Sequence, residues 1–310
     1  MNQRIYAIAI NTFREAVRDK VLYGVLGGAT AVLLFTLALA ELSLNEEERI
    51  ITDVGLASIS LFSVCVAVFL GSSLLYKEIE RKTLYVILPK PIHRWEFLVG
   101  KYVGILITTL VFIAVMGAVQ LWVLAIQSGV SPNLALAQWA LLLVVLGVAL
   151  RQSSDRTAVL VPWSLFALGV SAAVSSTTNA HVATILAALT LSAAEVMVVA
   201  AVAMLFSSFS TPFLTGLLTL GVWLAGRSAD DMVTMRPGAM SQELRSALRV
   251  VAEVVPNFNL FVPGWHTLTT TTDQFGGPWT YVATTVLQGA LYASILLVLA
   301  SVIFRRRDFL

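Results

Sequence analysis

Of 310 residues, 58% are hydrophobic and 12% are charged, and the mean hydropathy is +0.85. A soluble domain carries about 25% charged residues, so this composition excludes one and points to an all-α polytopic membrane protein with lipid as its solvent. The formal net charge of +2 says little, and the single cysteine, Cys65, leaves neither an internal disulfide nor a cysteine-built metal site.

The chain opens on a basic segment, residues 1–20, holding Arg4, Arg14, Arg18 and Lys20. The apolar run after it is too long for a signal-peptide core of about 7–15 residues. Ile5, Ile8, Ala9, Thr12, Phe13, Ala16 and Val17 recur every three or four positions, with Arg4, Asn11, Arg14, Glu15 and Arg18 opposite. That pattern predicts an amphipathic helix lying in the membrane surface, basic face to the headgroups.

Membrane-length runs follow at Val21–Ala40, Asp53–Tyr76, Phe97–Gln127, Leu134–Leu150, Thr157–Ser175, His181–Phe206, Thr211–Gly226 and Tyr281–Phe304. A span needs about 20 apolar residues, so eight transmembrane helices are expected. The third run is long, and its first turns project from the membrane. The seventh is short, and reads either as a span extended by residues 207–210 or as a re-entrant segment. Cys65 reads as a small buried hydrophobe. Gly24 with Gly28, and Gly100 with Gly104, form two small-residue pairs at the spacing that lets helices approach closely.

Charge tests this count. With eight spans and a cytoplasmic N-terminus, 15 of the 20 basic residues fall inside, and Arg49, Arg227, Arg236, Arg245 and Arg249 fall outside. The positive-inside rule expects such a bias. All seven tryptophans are expected near span ends or in flanking loops, as an interfacial belt.

Two segments outside the spans stand out. Residues 227–280 form an extracytoplasmic helical loop, in which Leu244, Ala247, Leu248, Val251, Val254 and Val255 share one helix face. Ser241 can cap its start and Pro256 ends it. With the following "PNFNLFVPGWHT", which carries Phe258 and Phe261, it reads as a lid or gate, or else as a structural surface helix. The second segment, residues 77–96, is the most charged part of the chain. Lys77 to Thr83 continues the second span, Pro89 and Pro91 break the helix, and "HRWEFLVGKYVG" starts another with Arg94 and Glu96 facing water. Such an elbow suits a lever carrying force from a soluble partner, against the plainer reading of a loop with retention charges.

"YKEIERKTLYVILPKPIHRWEFLVGKYVG" resembles the signature region of ABC-2 type transporter permeases, through Glu78, Glu80, Thr83, Leu88, Pro91, Arg94, Gly100 and Lys101. The opening "IAINTFREAVRDKVLYGVL", "AMLFSSFSTPFLTGLLTLGVW", "VVPNFNLF" and the closing "IFRRRDF" are similar to the same permeases. The subgroup they resemble contains the permease of the nitrous-oxide-reductase copper-maturation system. The resemblance implies a permease subunit working as a dimer with a second copy or a relative, each bound to a separate ABC ATPase subunit. Glu78, Glu80, Arg81, Thr83, Pro91, Arg94 and Glu96 would then form the docking and coupling region. The inner membrane of a bacterium is expected, and the charge count with eight spans puts both termini in the cytoplasm. Against the family's six-span core, residues 138–187 read as an inserted helix pair at the bundle's edge, binding a partner or lipid.

The residues themselves add limits. No G-x-x-x-x-G-K-[ST] occurs, so the chain cannot cradle ATP by a P-loop; no cofactor is expected in it, and ATP and Mg are expected in the partner. His93, His181 and His266 sit in separate segments, which argues against a metal site. Nothing points to nucleic acid. Glu195 is the only acid deep in a span, where a charge costs about 2.5 kcal/mol or more. It reads as a polar tie between helices, or as a contact on the transport path or the dimer seam. Two rivals to the permease remain: a membrane scaffold passing ATPase force to an extracytoplasmic protein, and a secondary transporter, which would want more intramembrane acids. The apolar spans lean toward a lipid-like cargo.

Overall fold

The computed structural model describes residues 2–42, 47–80, 93–153, 155–178, 181–230, 255–262 and 278–306, and these are helices and turns without a strand. The helices are α1 (Asn2–Val17), α2 (Lys20–Glu41), α3 (Glu47–Glu80), α4 (Arg94–Gln127), α5 (Pro132–Gln152), α6 (Leu160–Ser175), α7 (Val182–Ser207), α8 (Pro212–Arg227) and α9 (Pro278–Arg306). A short 3-10 turn, Phe258–Phe261, precedes α9.

Local chemistry sets several boundaries. Asp19 accepts a hydrogen bond from the Val21 N–H at the start of α2, the usual work of an N-cap carboxylate. Pro132 and Pro212 open α5 and α8, where a missing N–H costs nothing. Gly129, at φ +96°, turns the chain between α4 and α5 in a conformation other residues resist. Within the helices, Thr and Ser hydroxyls such as those of Thr108, Thr109, Ser192 and Thr219 donate to carbonyls three or four residues back. That satisfies them without water.

Six of these helices are long and apolar enough to cross a membrane: α2, α3 through Ser73, α4, α5, α7 and α9 from Trp279 to Arg305. In α3, α4 and α7 the apolar window is 61%, 67% and 78% buried, against 17% in α2, α5 and α9. The first three therefore form the centre and the last three its rim. At their crossing, a Cβ on Gly71 of α3 would lie 2.6 Å from that of Ala203 on α7, so the small side chains let the backbones approach. Cys65 is exposed on the outer face of α3, which corrects its reading as buried. The residues that do face the core there are Ser63, Val64 and Val66.

α6 and α8 have 16 residues each, about 24 Å of helix against a hydrocarbon core of about 30 Å. They solve the shortfall differently. α6 has turns at both ends, and its Val174 packs against Ala125 and Val130 at the end of α4 far from α1. α8 stops part-way: it folds back along α7, and Arg227 at its end meets Glu195 in the middle of α7. The 3-10 turn occupies the place beyond it. A Cβ on Gly226 would lie 2.3 Å from the Pro256 carbonyl oxygen and 2.5 Å from the Phe258 ring.

Candidate functional site

Three helices meet at Glu195, which is fully buried. Its carboxylate accepts hydrogen bonds from Ser60 Oγ of α3 at 2.6 Å, from Trp223 Nε1 of α8 at 2.8 Å and from the Arg227 guanidinium at 3.0 Å. Arg227 also lies 5.7 Å from the centre of the Trp223 ring, within cation–π range. A carboxylate at this depth is tolerable because charge and donors converge on both oxygens. The arrangement ties α3, α7 and α8 together.

This placement corrects two expectations. Arg227 is not an outer-surface cation, and Trp223 is buried in the bundle rather than set in an interfacial belt. Both follow from the shortness of α8. A signal was present in the sequence: an arginine closes an apolar run too short to cross, and an acid lies in the middle of the preceding run as its natural mate.

Above this tie sits the 3-10 turn. Phe258 is fully buried and Phe261 nearly so, their rings 6.1 Å apart. Asn257 and Asn259 donate to the two oxygens of Asp230 at 2.8 and 3.0 Å, and Tyr281 Oη donates to the Leu260 carbonyl at 2.7 Å. The "NFNLF" stretch thus plugs the space left by α8 and is pinned from both sides. Leu244, Leu248 and Val251 lie outside the described residues.

The second cluster is at the opposite end, where α4 begins. Glu96 is 2% exposed and accepts from the N–H of His93 at 3.2 Å, capping its own helix, with Arg4 of α1 at 3.9 Å. This corrects its reading as a water-facing residue: the carboxylate turns back to meet the His93 N–H at the N-cap of α4. Arg94 is half-buried and donates to the carbonyl oxygens of Phe304 and Arg305, the last turn of α9. Lys101 is buried, 3.7 Å from Glu15 of α1 and 5.9 Å from the Phe97 ring, which itself stacks on Phe304 at 6.4 Å.

Gly100 and Gly104 let α1 lie against α4: a Cβ on either would come within 2.7 Å of Ile8 or Thr12. The apolar face of α1, with Ala9, Phe13 and Ala16, is buried by protein. Gly24 and Gly28, in the same sequence pattern, have nothing within 4 Å of an added Cβ. The backbone of Glu78 and Glu80 belongs to the last turns of α3, and their side chains lie outside the described residues, as do Arg81, Thr83 and Pro91.

Sequence reading missed a third feature. Arg14 of α1 donates to Asp155, in the turn between α5 and α6. This bond holds the Asp155 carboxyl below its ordinary range, helped by the Thr157 hydroxyl. Among the described residues, no three His, Cys, Asp or Glu side chains lie together as metal ligands.

A sequence profile described as "ABC-2 family transporter protein" matches residues 6–309. No curated protein matches the chain, so the likeness to the copper-maturation permease rests on the quoted motifs alone.

Proposed function

The chain belongs to the ABC-2 family of transporter proteins, the membrane component of ABC transporters, and on that premise we propose that it forms a dimeric permease driven by separate ATPase subunits. Membership makes it a transport subunit partnered by ABC ATPases. The match over nearly the whole chain carries this reading. The finer parts rest on geometry and charge.

Residues 77–96 are the proposed docking elbow. What supports a lever is its attachment. The start of α4 is clamped between α1, through Lys101, Gly100 and Gly104, and the end of α9, through Arg94 and the Phe97–Phe304 stack. A push on the elbow therefore moves three helices as one unit. The end bearing α1 is proposed to face the cytoplasm of a bacterium, which agrees with the distribution of basic residues. Arg305 lies at that same end. Eight crossings are proposed, the seventh made jointly by α8 and the Phe258–Phe261 turn packed at its end. ATP and Mg belong to the partner.

On the outer side, the plug at Phe258 and Phe261, latched below by Glu195 and Arg227, is the proposed gate. The seam with a second copy is assigned to the open face of α2 at Gly24 and Gly28. A lipid-like or hydrophobic cargo suits the apolar surfaces better than an ion, because Glu195, the acid at the middle of α7, is already paired. That pairing also disfavours a secondary transporter.

Purification of the tagged chain from its native host in mild detergent tests the reading. An ABC ATPase should co-purify and be lost on charge reversal at Glu78 and Glu80. Purification without any ATPase would overturn it. Flux into vesicles separates a permease from a force-passing scaffold, which would hydrolyse ATP without moving a solute.

A further inference from the structure

Arg14, Arg18, Asp155, Arg156 and Thr157 line a polar cavity of about 590 Å3. It lies at one level of the bundle: α1 ends there, the span α2 starts at Lys20, the span α5 ends at Gln152, and α6 begins at Leu160. The ends of two span-length helices at this level assign it to a membrane boundary, where headgroups lie. Three arginines face one carboxylate. Asp155 occupies part of Arg14, whose Nε remains buried without an acceptor, while Arg18 and Arg156 form no ion pair among the described residues. The cavity therefore carries an unbalanced positive charge.

An apolar groove of about 350 Å3 starts beside it, between α4, α6 and α7. On α6 its wall is Val161, Ser164, Leu165 and Leu168, one helix face, and Val161 is four residues beyond Thr157 of the cavity. That face runs about 10 Å toward the bundle's middle at 1.5 Å per residue. Its two hydroxyls are already satisfied: Ser164 donates to the Val161 carbonyl at 2.9 Å, and Thr190 to that of Leu186 at 2.8 Å. Such a lining offers a polar solute nothing and suits a hydrocarbon chain.

From these two observations we propose that the junction of α1, α5 and α6 binds one anionic phospholipid of the surrounding leaflet, its phosphate among Arg14, Arg18 and Arg156 and an acyl chain in the groove. A free phosphate would use only the cavity, and a zwitterionic lipid would bring the same phosphate together with a choline cation that the arginine-rich lining repels. The lipid would bridge the α5–α6 pair to the first helix of the core, beside the Arg14–Asp155 bond. The site stands independently of whether the chain moves a solute.

Native mass spectrometry of the full-length protein, released from nanodiscs of phosphatidylcholine mixed with phosphatidylglycerol, tests it. The wild type should retain phosphatidylglycerol in preference to phosphatidylcholine. Arg18→Gln with Arg156→Gln, which leaves the Arg14–Asp155 bond intact, should weaken retention about thirty-fold, taking about 1 kcal/mol per arginine near an anionic surface and tenfold per 1.4 kcal/mol. Ala193→Phe, which fills the groove, should also lower it; if that variant does not assemble, the arginine pair decides. Added inorganic phosphate should not displace the lipid. Equal retention of both lipids, no effect of the arginine pair, or displacement by phosphate would each overturn the proposal.

Discussion

Arg227, the last residue of α8, places its guanidinium 3.0 Å from the carboxylate of Glu195 in the middle of α7. The pair explains how a helix can stop inside the bundle: its C-terminal end meets a three-way hydrogen-bonded anchor, and the Phe258–Phe261 turn fills the space beyond.

Breaking this pair from one side should cost more than neutralising both. Losing one partner of a fully buried pair costs about 3–5 kcal/mol, and the 28% exposure of the Arg227 side chain reduces that to about 1–3 kcal/mol. Arg227→Ala should therefore lower thermal stability clearly, while Glu195→Gln with Arg227→Gln should recover part of it. Melting curves of the single and double variants in detergent check this. Additive losses would show that the two residues are not coupled.

The two glycine pairs should respond in opposite ways. Gly104→Ala puts a methyl 2.5 Å from the Thr12 Cβ and 2.7 Å from the Ala9 carbonyl oxygen, so α1 must shift at a cost of about 1–3 kcal/mol. Gly28→Ala meets nothing within the chain and should leave the melting temperature of the monomer unchanged. If the open face of α2 is the seam between copies, Gly28→Leu will change oligomeric state without changing fold. Light scattering in detergent beside thermal melts separates the two effects.

Acid should release α1 from the α5–α6 turn. Asp155 has its carboxyl lowered by the Arg14 hydrogen bond. A depressed carboxylate contributes stability above the unfolded value, near 3.9 for Asp, and loses it as pH falls through the folded value. The tie should thus hold at neutral pH and fail only as pH falls below the ordinary aspartate range, because the folded carboxyl is lowered. Spin labels at Asn11 and Gln152, both exposed, would show a narrow distance distribution at neutral pH that broadens in acid. Asp155→Asn should be broad at both.

Arg94 should matter for linkage between helices rather than for docking alone. Its two hydrogen bonds to the end of α9 complement the partial negative charge there. Arg94→Ala should destabilise by about 1–2 kcal/mol, the lower part of the range for bonds to a charged group because the site is half-exposed. Charge reversal at Glu78 and Glu80 should instead weaken ATPase retention and leave the melting temperature unchanged. A melt of Arg94→Ala matching wild type would remove the clamp from the proposed coupling route.

Helix identity and the polytopic membrane class were legible in the residues, because lipid offers the backbone no partner except itself. Twenty apolar residues in a row then leave the helix as the one economical structure. The α1 amphipathic pattern and the isolation of Glu195 were readable on the same ground. What the residues could not disclose is which face meets which neighbour. Gly24 with Gly28 and Gly100 with Gly104 have one spacing, yet one pair is open and the other is pressed against α1, since helical periodicity sets faces and not their partners. The mate of Glu195 was hidden for a related reason. Arg227 is 32 positions away, and its depth depends on where α8 halts relative to α7. Only the packing of separate helices decides that, because a charge in lipid is held by whatever tertiary contact brings within about 3 Å of it.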